Sequence, residues 1–344
     1  MKLFLMVSAL TIMGACANKR HSEKLQDVKQ SVIFENESNI NKFANTITAK
    51  ELKDFVYELA SDTNQGRKTG EFGHNRACKF IKDYYAQQEI ESPLGDDNYF
   101  QHIPKSFFSN DINDSQNVVA YIKGSEFPDE VLIISAHSDH LGVTDSIVNP
   151  GADDNGSGTS AVLEIAEAFK TAQQQGLGPK RSILFLHLTG EEEGLYGSRY
   201  YIEHPIFSLE NTVADLNIDM IGRVDNLHQD DENYIYLIGS DRISTELHYI
   251  SETANQEFTH LNLDYKYNAE NESNRYYYRS DHYNFARYGI PVIFYFNGEH
   301  ADYHLPSDTA DKINYPLLEK RTKLIFATAW YIANSTKKLN PEKV

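Results

Sequence analysis

A short apolar segment followed by a polar, glycine-rich loop, within residues 131–158, constrains the fold of this chain more than any other feature of its sequence. The apolar residues Val131 to Ile134 lead directly to His137 and Asp139. The loop ends in Gly-Ala-Asp-Asp-Asn-Gly-Ser-Gly, and the helical pattern TSAVLEIAEAFK follows. A strand that ends in a histidine, and a helix that begins with carboxylates and glycines, predict a site at the edge of an open α/β sheet. Such sheets place their sites outside the carboxyl ends of their strands.

Strand-like and helix-like segments alternate along most of the chain. This alternation predicts a three-layer αβα fold, in which helices cover both faces of a central mixed β-sheet. Besides the strand that ends at residue 137, we expect strands near residues 99–108, 117–122, 182–188, 212–218, 234–238 and 291–296. We expect helices near residues 48–59, 74–88, 158–173, 195–203, 243–255, 281–287 and 316–333.

The first sixteen residues have the pattern of an export signal. A positive start is followed by an apolar stretch, Leu3 to Met13, that is too short to span a bilayer. The sequence Met13-Gly14-Ala15-Cys16 resembles a bacterial lipoprotein signal, which would place the protein in the periplasm, at the outer membrane or at the cell surface. A secretory signal cut near Ala15 or Ala17 is the alternative. We therefore expect export, with membrane contact only through a lipid on Cys16.

Charge and cysteine content exclude several classes of protein. The net charge of −18 disfavours binding to nucleic acid or to an anionic membrane surface through a basic patch. Cys16 and Cys78 are the only cysteines, which excludes a disulfide framework and a thiolate zinc site. We expect Cys78 to be a small buried residue of a helix.

Three further polar clusters each follow a predicted strand. Glu191 and Glu192 follow the strand that ends near residue 188, Asp219 follows the next strand, and His304 comes after the last strand. Acidic residues at a helix start, or a histidine in a loop, indicate little when taken singly. If one of the two glutamates and one aspartate of the glycine-rich loop are counted, however, they join His137, Asp219 and His304 to give two histidines and three carboxylates at neighbouring strand ends.

Such a set of nitrogen and oxygen ligands suits zinc, manganese or cobalt. If one carboxylate bridges, five ligands can hold two metal ions, as in hydrolytic two-metal sites. Of the adjacent residues Glu191 and Glu192, one can bind metal while the other acts as a general base.

Six motifs carry a specific resemblance, namely HSDHLG, GADDNGSG, GEEEGLYGS, NIDMIGR, SDHYNFARYGIP and YHLPSDT. In this order they resemble the motifs of the secreted bacterial di-zinc aminopeptidases, leucyl-aminopeptidase-like enzymes related to glutaminyl cyclases and glutamate carboxypeptidases. The resemblance extends from about residue 59 to about residue 332. It implies a single catalytic domain, which we place at residues 48–336, after a signal segment at 1–16 and a polar tether at 17–47 with one docked segment near Val32. A short tail would follow at 337–344.

The resemblance also implies a role for individual residues. One zinc ion would be held by His137 and Asp219 and the other by Glu192 and His304, with Asp154 bridging both and Glu191 as the general base. The peptide bond between Asp154 and Asn155 would be cis. Asp139 would hydrogen-bond and orient His137, and Tyr303 would stabilise an oxyanion. We assign no chemical role to Asp281 or His282, and we expect His140, Asp153 and Glu193 to take no part in the chemistry.

The implied function is that of a zinc-dependent aminopeptidase. Two Zn²⁺ ions per chain, replaceable by Mn²⁺ or Co²⁺, would hold a bridging hydroxide that hydrolyses the first peptide bond of a peptide. We expect a monomer without nucleic-acid partners. A carboxypeptidase is an alternative, since Arg275 or Arg279 could bind a terminal carboxylate. A glutaminyl-cyclase-like acyltransferase would use one zinc ion, and a metal-free binding lipoprotein would use none.

Overall fold

The computed structural model describes residues 21–95, 97–109 and 111–343, and eight strands within these residues form one mixed sheet. In chain order the strands are β1 (Phe100–Ile103), β2 (Ser115–Ile122), β3 (Phe127–His137), β4 (Val143–Thr144), β5 (Ile147–Val148), β6 (Arg181–Leu188), β7 (Thr212–Ile218), β8 (Tyr234–Ile238), β9 (Asn262–Asp264) and β10 (Val292–Phe296). The sheet has the order β1-β2-β6-β3-β7-β10-β8-β9, and β4 and β5 form a separate hairpin. The four central strands β6, β3, β7 and β10 are parallel, and β2 and β8 flank them in the antiparallel direction. The predicted mixed sheet is confirmed.

Helices cover both faces of this sheet. They are α1 (His21–Ser31), α2 (Glu37–Ala44), α3 (Ala49–Leu59), α4 (Phe72–Gln87), α5 (Gly158–Gln174), α6 (Tyr196–Glu203), α7 (Thr245–Ala254), α8 (His282–Ala286) and α9 (Tyr315–Asn334). Helices α6 and α8 contribute to a core on one face. Helices α2, α3, α4, α5, α7 and α9 contribute to a larger core on the other face. The three-layer αβα prediction is therefore confirmed.

The apolar run of β3 shows why the sheet has two covered faces. Successive strand side chains point to opposite faces. Accordingly, Leu132 and Ile134 belong to the core on the α5 side, whereas Val131 and Ile133 belong to the core on the α6 side. All four side chains are fully buried. A strand that is buried on both faces has a continuous rather than an alternating apolar sequence.

The segment that precedes α3 is packed against the body of the protein over most of its described length. In the part near Val32, Val32 and Phe34 are buried in the large core. The docking also extends further than expected. Helix α2 buries Ile40 and Phe43, and the Phe43 ring stacks on Trp330 of α9 with 5.5 Å between ring centroids. Residues 32–47 are therefore part of the folded body rather than a free tether.

The remaining differences from the predicted elements concern short segments. The hairpin of β4 and β5 and the three-residue strand β9 were not predicted. Within the predicted tail, Leu339 is buried and the carbonyl of Asn340 accepts a hydrogen bond from the Ser244 hydroxyl. The predicted signal segment 1–16 lies outside the described residues. In the part of the chain that is described, no helix has the length and apolar character needed to cross a membrane.

Candidate metal centre

The carboxyl ends of four adjacent parallel strands place the candidate residues at one edge of the sheet. The last residue of β3 is His137, and Asp219 directly follows β7. Glu192 lies in the loop after β6, His304 in the loop after β10, and Asp154 just before α5. All five residues for which the resemblance implies metal binding therefore converge, although 167 positions separate the first from the last along the chain (304 − 137).

The first cluster contains His137, Asp154 and Asp219. The Nε2 atom of His137 lies 3.3 Å from Oδ1 of Asp154 and 3.2 Å from Oδ1 of Asp219. All three side chains are buried. Ligands about 2.0–2.2 Å from a single tetrahedral ion lie roughly 3.3 Å apart, so these atoms are spaced as ligands of one ion would be.

The second cluster uses the other oxygen of the same aspartate. The Nε2 atom of His304 lies 3.0 Å from Oδ2 of Asp154 and 3.2 Å from Oε2 of Glu192. His304 adopts a left-handed backbone conformation with φ of 57°, and its side chain is partly exposed. Asp154 thus presents Oδ1 to one cluster and Oδ2 to the other, which is the arrangement of a bridging carboxylate.

The electrostatics of the two clusters favour positive charge at their centre. Burial opposes ionisation of Asp154, but hydrogen bonds from His137 and His304 outweigh it and hold the pKa of Asp154 well below its ordinary value. Burial alone would lower the pKa of His304, but hydrogen bonds to Asp154 and Glu192 raise that pKa to about 10. A group of buried carboxylates of this kind attracts a cation.

The ring of His137 is oriented by Asp139 through the backbone. Nδ1 of His137 lies 3.2 Å from the carbonyl oxygen of Asp139. A carbonyl only accepts, so Nδ1 donates to it, and Nε2 is the ring atom that faces the cluster. The carboxylate of Asp139 is 3.8 Å from Nδ1. It accepts instead from Oγ1 of Thr69 at 2.8 Å and from the Glu191 backbone N–H at 3.2 Å.

The hydrogen bond between Asp139 and His137 thus uses the backbone carbonyl, while the Asp139 carboxylate accepts from two other donors. The orienting role remains and extends to a second residue. Asp139 positions both His137 and the backbone of Glu191.

The loop that carries Asp154 is fixed from both sides. The backbone N–H of Asp154 donates to Oδ2 of Asp308 at 3.1 Å. The side chain of Asn155 donates to the carbonyl of Ile218 at 2.9 Å and accepts from the Met220 N–H at 3.2 Å. These bonds tie the loop to the end of β7, beside Asp219. The peptide bond between Asp154 and Asn155 is cis, as predicted.

The buried guanidinium of Arg67 joins the loops around the centre. Arg67 is 1% exposed and lies in the turn-rich segment that follows α3. It donates to the backbone carbonyls of Leu59 (2.8 Å), Ser138 (3.0 Å), Pro150 (2.7 Å) and Gly151 (2.8 Å). Sequence reasoning gave this arginine no role. A lone arginine in a polar turn carries no signal that it will be buried against backbone carbonyls.

The motif SDHYNFARYGIP contacts the metal centre through its serine, Ser280. The hydroxyl of Ser280 donates to Oδ2 of Asp219 at 2.7 Å, which leaves Oδ1 of Asp219 towards His137. Asp281 is buried, and its Oδ1 accepts from the Ser198 hydroxyl at 2.5 Å. His282 is buried among aromatic rings. Neither Asp281 nor His282 belongs to the two clusters.

The neighbouring residues Glu191 and Glu192 have opposite pKa shifts. Burial raises the pKa of Glu191 well above its ordinary value. The charge of His137 lowers this pKa, whereas the nearby charge of Glu192 raises it. Burial and Asp154 oppose ionisation of Glu192, but hydrogen bonds with His140 and His304 outweigh them and lower its pKa. Glu192 thus stays ionised as a ligand would, whereas Glu191 holds a proton more readily.

A cavity opens beside the two clusters. Its lining includes Glu191 and Tyr303, and the ring of Tyr303 stacks on His304 with 3.8 Å between centroids. Arg279 is also on the wall, where its Nη1 lies 2.9 Å from Oε1 of Glu299. The other lining residues are two ligands and a group of apolar and aromatic side chains: Asp154, Asp219, Met220, Tyr276, Phe294 and Phe296.

Asp153, Glu193 and His140 were expected to take no part in the chemistry, and their contacts differ from one another. The carboxylate of Asp153 is buried, accepts from the Gly222 N–H at 2.7 Å and lies 3.1 Å from Nε2 of His300. It therefore supports the loop of Asp154. Glu193 belongs to neither cluster among the described groups. His140 differs from both in contacting a candidate ligand, since its Nδ1 lies 2.7 Å from Oε1 of Glu192.

The donor atoms fit zinc. They are imidazole nitrogens and carboxylate oxygens, the sulfur-free set that zinc takes in hydrolytic sites. Their spacing, their burial and the direction of His137 Nε2, which faces Asp154 and Asp219, all agree with metal binding. Together, the αβα fold and this arrangement define a candidate metal centre at the carboxyl edge of the sheet.

The chain belongs to peptidase family M28, whose profile matches residues 117–329, more than half of the chain. This finding confirms the family resemblance. The matched segment contains His137, Asp154, Glu192, Asp219 and His304.

Known proteins of similar sequence and structure agree with this family. A probable zinc metalloprotease of Pyricularia oryzae is 29% identical over 261 residues, which are 64% of this chain and 50% of that protein. Aminopeptidase YwaD of Bacillus subtilis is 26% identical over 233 residues, 65% of this chain and 46% of that protein. The chain thus spans about half the length of these curated relatives. The LapA aminopeptidase of Legionella pneumophila has the same fold, with a TM-score of 0.69 and 21% identity over 89% of this chain and 77% of LapA.

Proposed function

We propose that this protein is a zinc-dependent aminopeptidase that binds two Zn²⁺ ions and removes the N-terminal residue of peptides. The observation that carries the proposal is the bridging position of Asp154, whose two oxygens face His137 and His304 in separate clusters. Membership of peptidase family M28 supports hydrolysis of peptides. The similarity to aminopeptidase YwaD supports release from the N-terminus.

Two bound zinc ions would lower the pKa of a water molecule and polarise the scissile carbonyl. The chain itself supplies the proton transfer. Glu191 lines the cavity, its pKa is raised, and its backbone is fixed by Asp139. It would take a proton from the attacking water and return it to the leaving amine. The hydroxyl of Tyr303, on the same cavity wall, would donate a hydrogen bond to the oxyanion.

The same cavity accounts for preference at the N-terminus. A free α-amino group is cationic and would lie among the carboxylates of Asp154, Glu191 and Asp219. The adjacent apolar wall, formed by residues such as Phe294, would receive the first side chain. Binding a peptide in this way places its first carbonyl beside the metal centre.

A carboxypeptidase would need a free cation at this cavity for the terminal carboxylate. Arg279 is the arginine on the wall, and its charge is paired with Glu299 at 2.9 Å. Arg275 packs over the ring of Tyr278, 4.8 Å from its centroid, and does not line the cavity. A cyclase with one zinc ion would not need both His137 and Asp219 beside the second cluster. These observations favour the aminopeptidase.

The proposal is tested with purified protein and a panel of aminoacyl anilides whose amino groups are free or blocked. We expect cleavage of the free amines alone, loss of activity with a chelator and recovery with added zinc. Metal analysis should give two zinc ions per chain. If neither series is cleaved while two zinc ions are bound, the aminopeptidase is ruled out in favour of a carboxypeptidase or cyclase. Failure to bind zinc would exclude the centre itself.

A further inference from the structure

His140 lies directly behind the second cluster. Its side chain is buried, and its ring packs so closely on Gly151 that a Cβ atom there would lie 2.5 Å from Cδ2 of the ring. The backbone N–H of His140 donates to the carbonyl of Arg67 at 3.0 Å. Both the ring and its backbone are therefore fixed in place.

The ring of His140 contacts one particular oxygen of Glu192. Nδ1 of His140 lies 2.7 Å from Oε1, whereas Nε2 of His304 lies 3.2 Å from Oε2. The two oxygens of Glu192 thus have separate partners. Oε1 faces His140 and Oε2 faces the cluster formed with Asp154 and His304.

The distances distinguish a hydrogen bond from a metal ligand. Two ligand atoms of one tetrahedral zinc ion lie roughly 3.3 Å apart. His140, Asp154 and Glu192 lie close enough together to hold an ion. However, Nδ1 of His140 is 2.7 Å from Glu192 and 3.8 Å from Oδ2 of Asp154, and this unequal spacing fits a hydrogen bond to Glu192 better than shared ligation of one tetrahedral ion. The shorter distance is typical of an N–H that donates to a carboxylate.

We propose that His140 is a positioning residue, whose Nδ1–H donates to Oε1 of Glu192 and holds Oε2 towards the second metal ion. This inference rests on the proposed two-zinc function. It assigns to HSDHLG a second histidine that acts on the opposite metal site from His137. A ligand held by such an outer hydrogen bond loses less conformational freedom when it binds the ion, and removal of these bonds weakens metal binding by about 10–100-fold.

The test compares two variants of the full chain. His140→Asn places an amide N–H near the position of Nδ1 and keeps a donor, whereas His140→Ala removes it. Stepwise zinc affinities are measured by competition with a chromophoric chelator, and the visible spectrum of the Co²⁺-substituted protein reports the coordination of each site. His187→Ala is the matched control, because His187 is also a fully buried histidine but hydrogen-bonds Tyr85 and contacts neither cluster.

We expect His140→Ala to bind one zinc ion, that of the cluster of Asp154, Glu192 and His304, about 10–100-fold less tightly, with the other ion unaffected. His140→Asn should stay close to the wild type, and His187→Ala should retain both affinities. The inference is overturned if His140→Ala binds both ions as the wild type does, or if the asparagine variant loses as much affinity as the alanine variant. An equal loss in His187→Ala also overturns it, since the effect would then be general.

Wild-type protein that binds fewer than two zinc ions would overturn the proposed function together with this inference. Two ions in the wild type with no effect of His140→Ala would overturn the inference alone. If the alanine variant does not fold, His140→Leu replaces it, because leucine fills more of the space beside Gly151 without offering a donor.

Discussion

The side chain of Glu191 differs from that of its neighbour Glu192 in facing the open cavity rather than a histidine. We expect Glu191→Gln, which keeps the size of the side chain but cannot accept the proton, to lower kcat by at least about 100-fold. Zinc content should remain at two ions per chain, because Glu191 is not among the proposed ligands. Rates and metal analysis on the same sample check this, with Glu193→Gln as the control. Near-normal activity of Glu191→Gln would contradict the proposed mechanism.

A second carboxyl group affects the pH dependence of stability. Burial raises the pKa of Glu164 from 4.5 to about 8, and the charges of Glu51 and Glu167 act in the same direction. The folded state therefore holds this proton more tightly than the unfolded state. Its contribution to stability is complete below pH 4.5 and is lost as the pH rises towards 8.

We accordingly expect Glu164→Gln, which has no proton to lose, to be more stable than the wild type at pH 8 by about 1–3 kcal/mol. Near pH 4.5 the two proteins should unfold at similar denaturant concentrations. Denaturant unfolding at both pH values measures the difference. An equal difference at the two pH values would mean that the effect does not come from ionisation of Glu164.

Single residues also show what the sequence could predict about the site. The convergence of the five candidate ligands was predictable, because each follows or precedes a recognisable strand or helix and belongs to a motif. The roles of Arg67, His140 and Ser280 were not. Each acts by a hydrogen bond to a group that is distant in sequence, and only the fold brings the partners together.

At the scale of elements, the long helices and strands were predicted to within a few residues because their apolar periodicity is strong. The strand β9 has three residues, too few for a pattern. Helices α1 and α2 were missed because their sequences are mostly polar. Helix α1 buries no residue fully, and α2 buries Ile40, Phe43 and Ala44. Their docking depends on the surface of α7 and α9, which a local pattern does not reveal.

The docking of α2 leads to a prediction about stability. Phe43 is fully buried and stacks on Trp330, so Phe43→Ala leaves a cavity between α2 and α9. We expect a loss of about 3–5 kcal/mol in the free energy of unfolding, measured by denaturant titration. Ile33→Ala, in the same segment but with Ile33 68% exposed, is the control and should change stability little. A Phe43 variant as stable as the wild type would show that this segment is not docked in solution.

At the scale of the whole molecule, the metal centre joins segments from most of the chain. The loops that carry His137, Glu192, Asp219 and His304 follow four different strands, and Asp154 links both clusters. Ions that bind only the folded state add to its stability by mass action, about 2.7 kcal/mol for one site at 100 times its Kd.

We therefore expect a chelator to lower the Tm and added zinc to restore it. Scanning calorimetry of the apo and zinc-loaded protein measures the shift. The variant Asp154→Asn should show a smaller zinc-dependent shift than the wild type, because it weakens both clusters at once. An unchanged Tm after complete removal of metal would contradict the structural role of the centre.

Cys78 is the one thiol among the described residues, and its reaction with a reagent can report local opening of the protein. It is fully buried on α4, its sulfur lies 3.4 Å from Nε2 of His74, and burial raises its pKa to about 12. The same His74 nitrogen lies 3.1 Å from the hydroxyl of Ser138, next to His137. A thiol reagent can therefore react only after a local opening has exposed Cys78. The rate of that reaction, followed with and without zinc, measures how often the structure around Cys78 opens and whether bound metal makes such opening rarer.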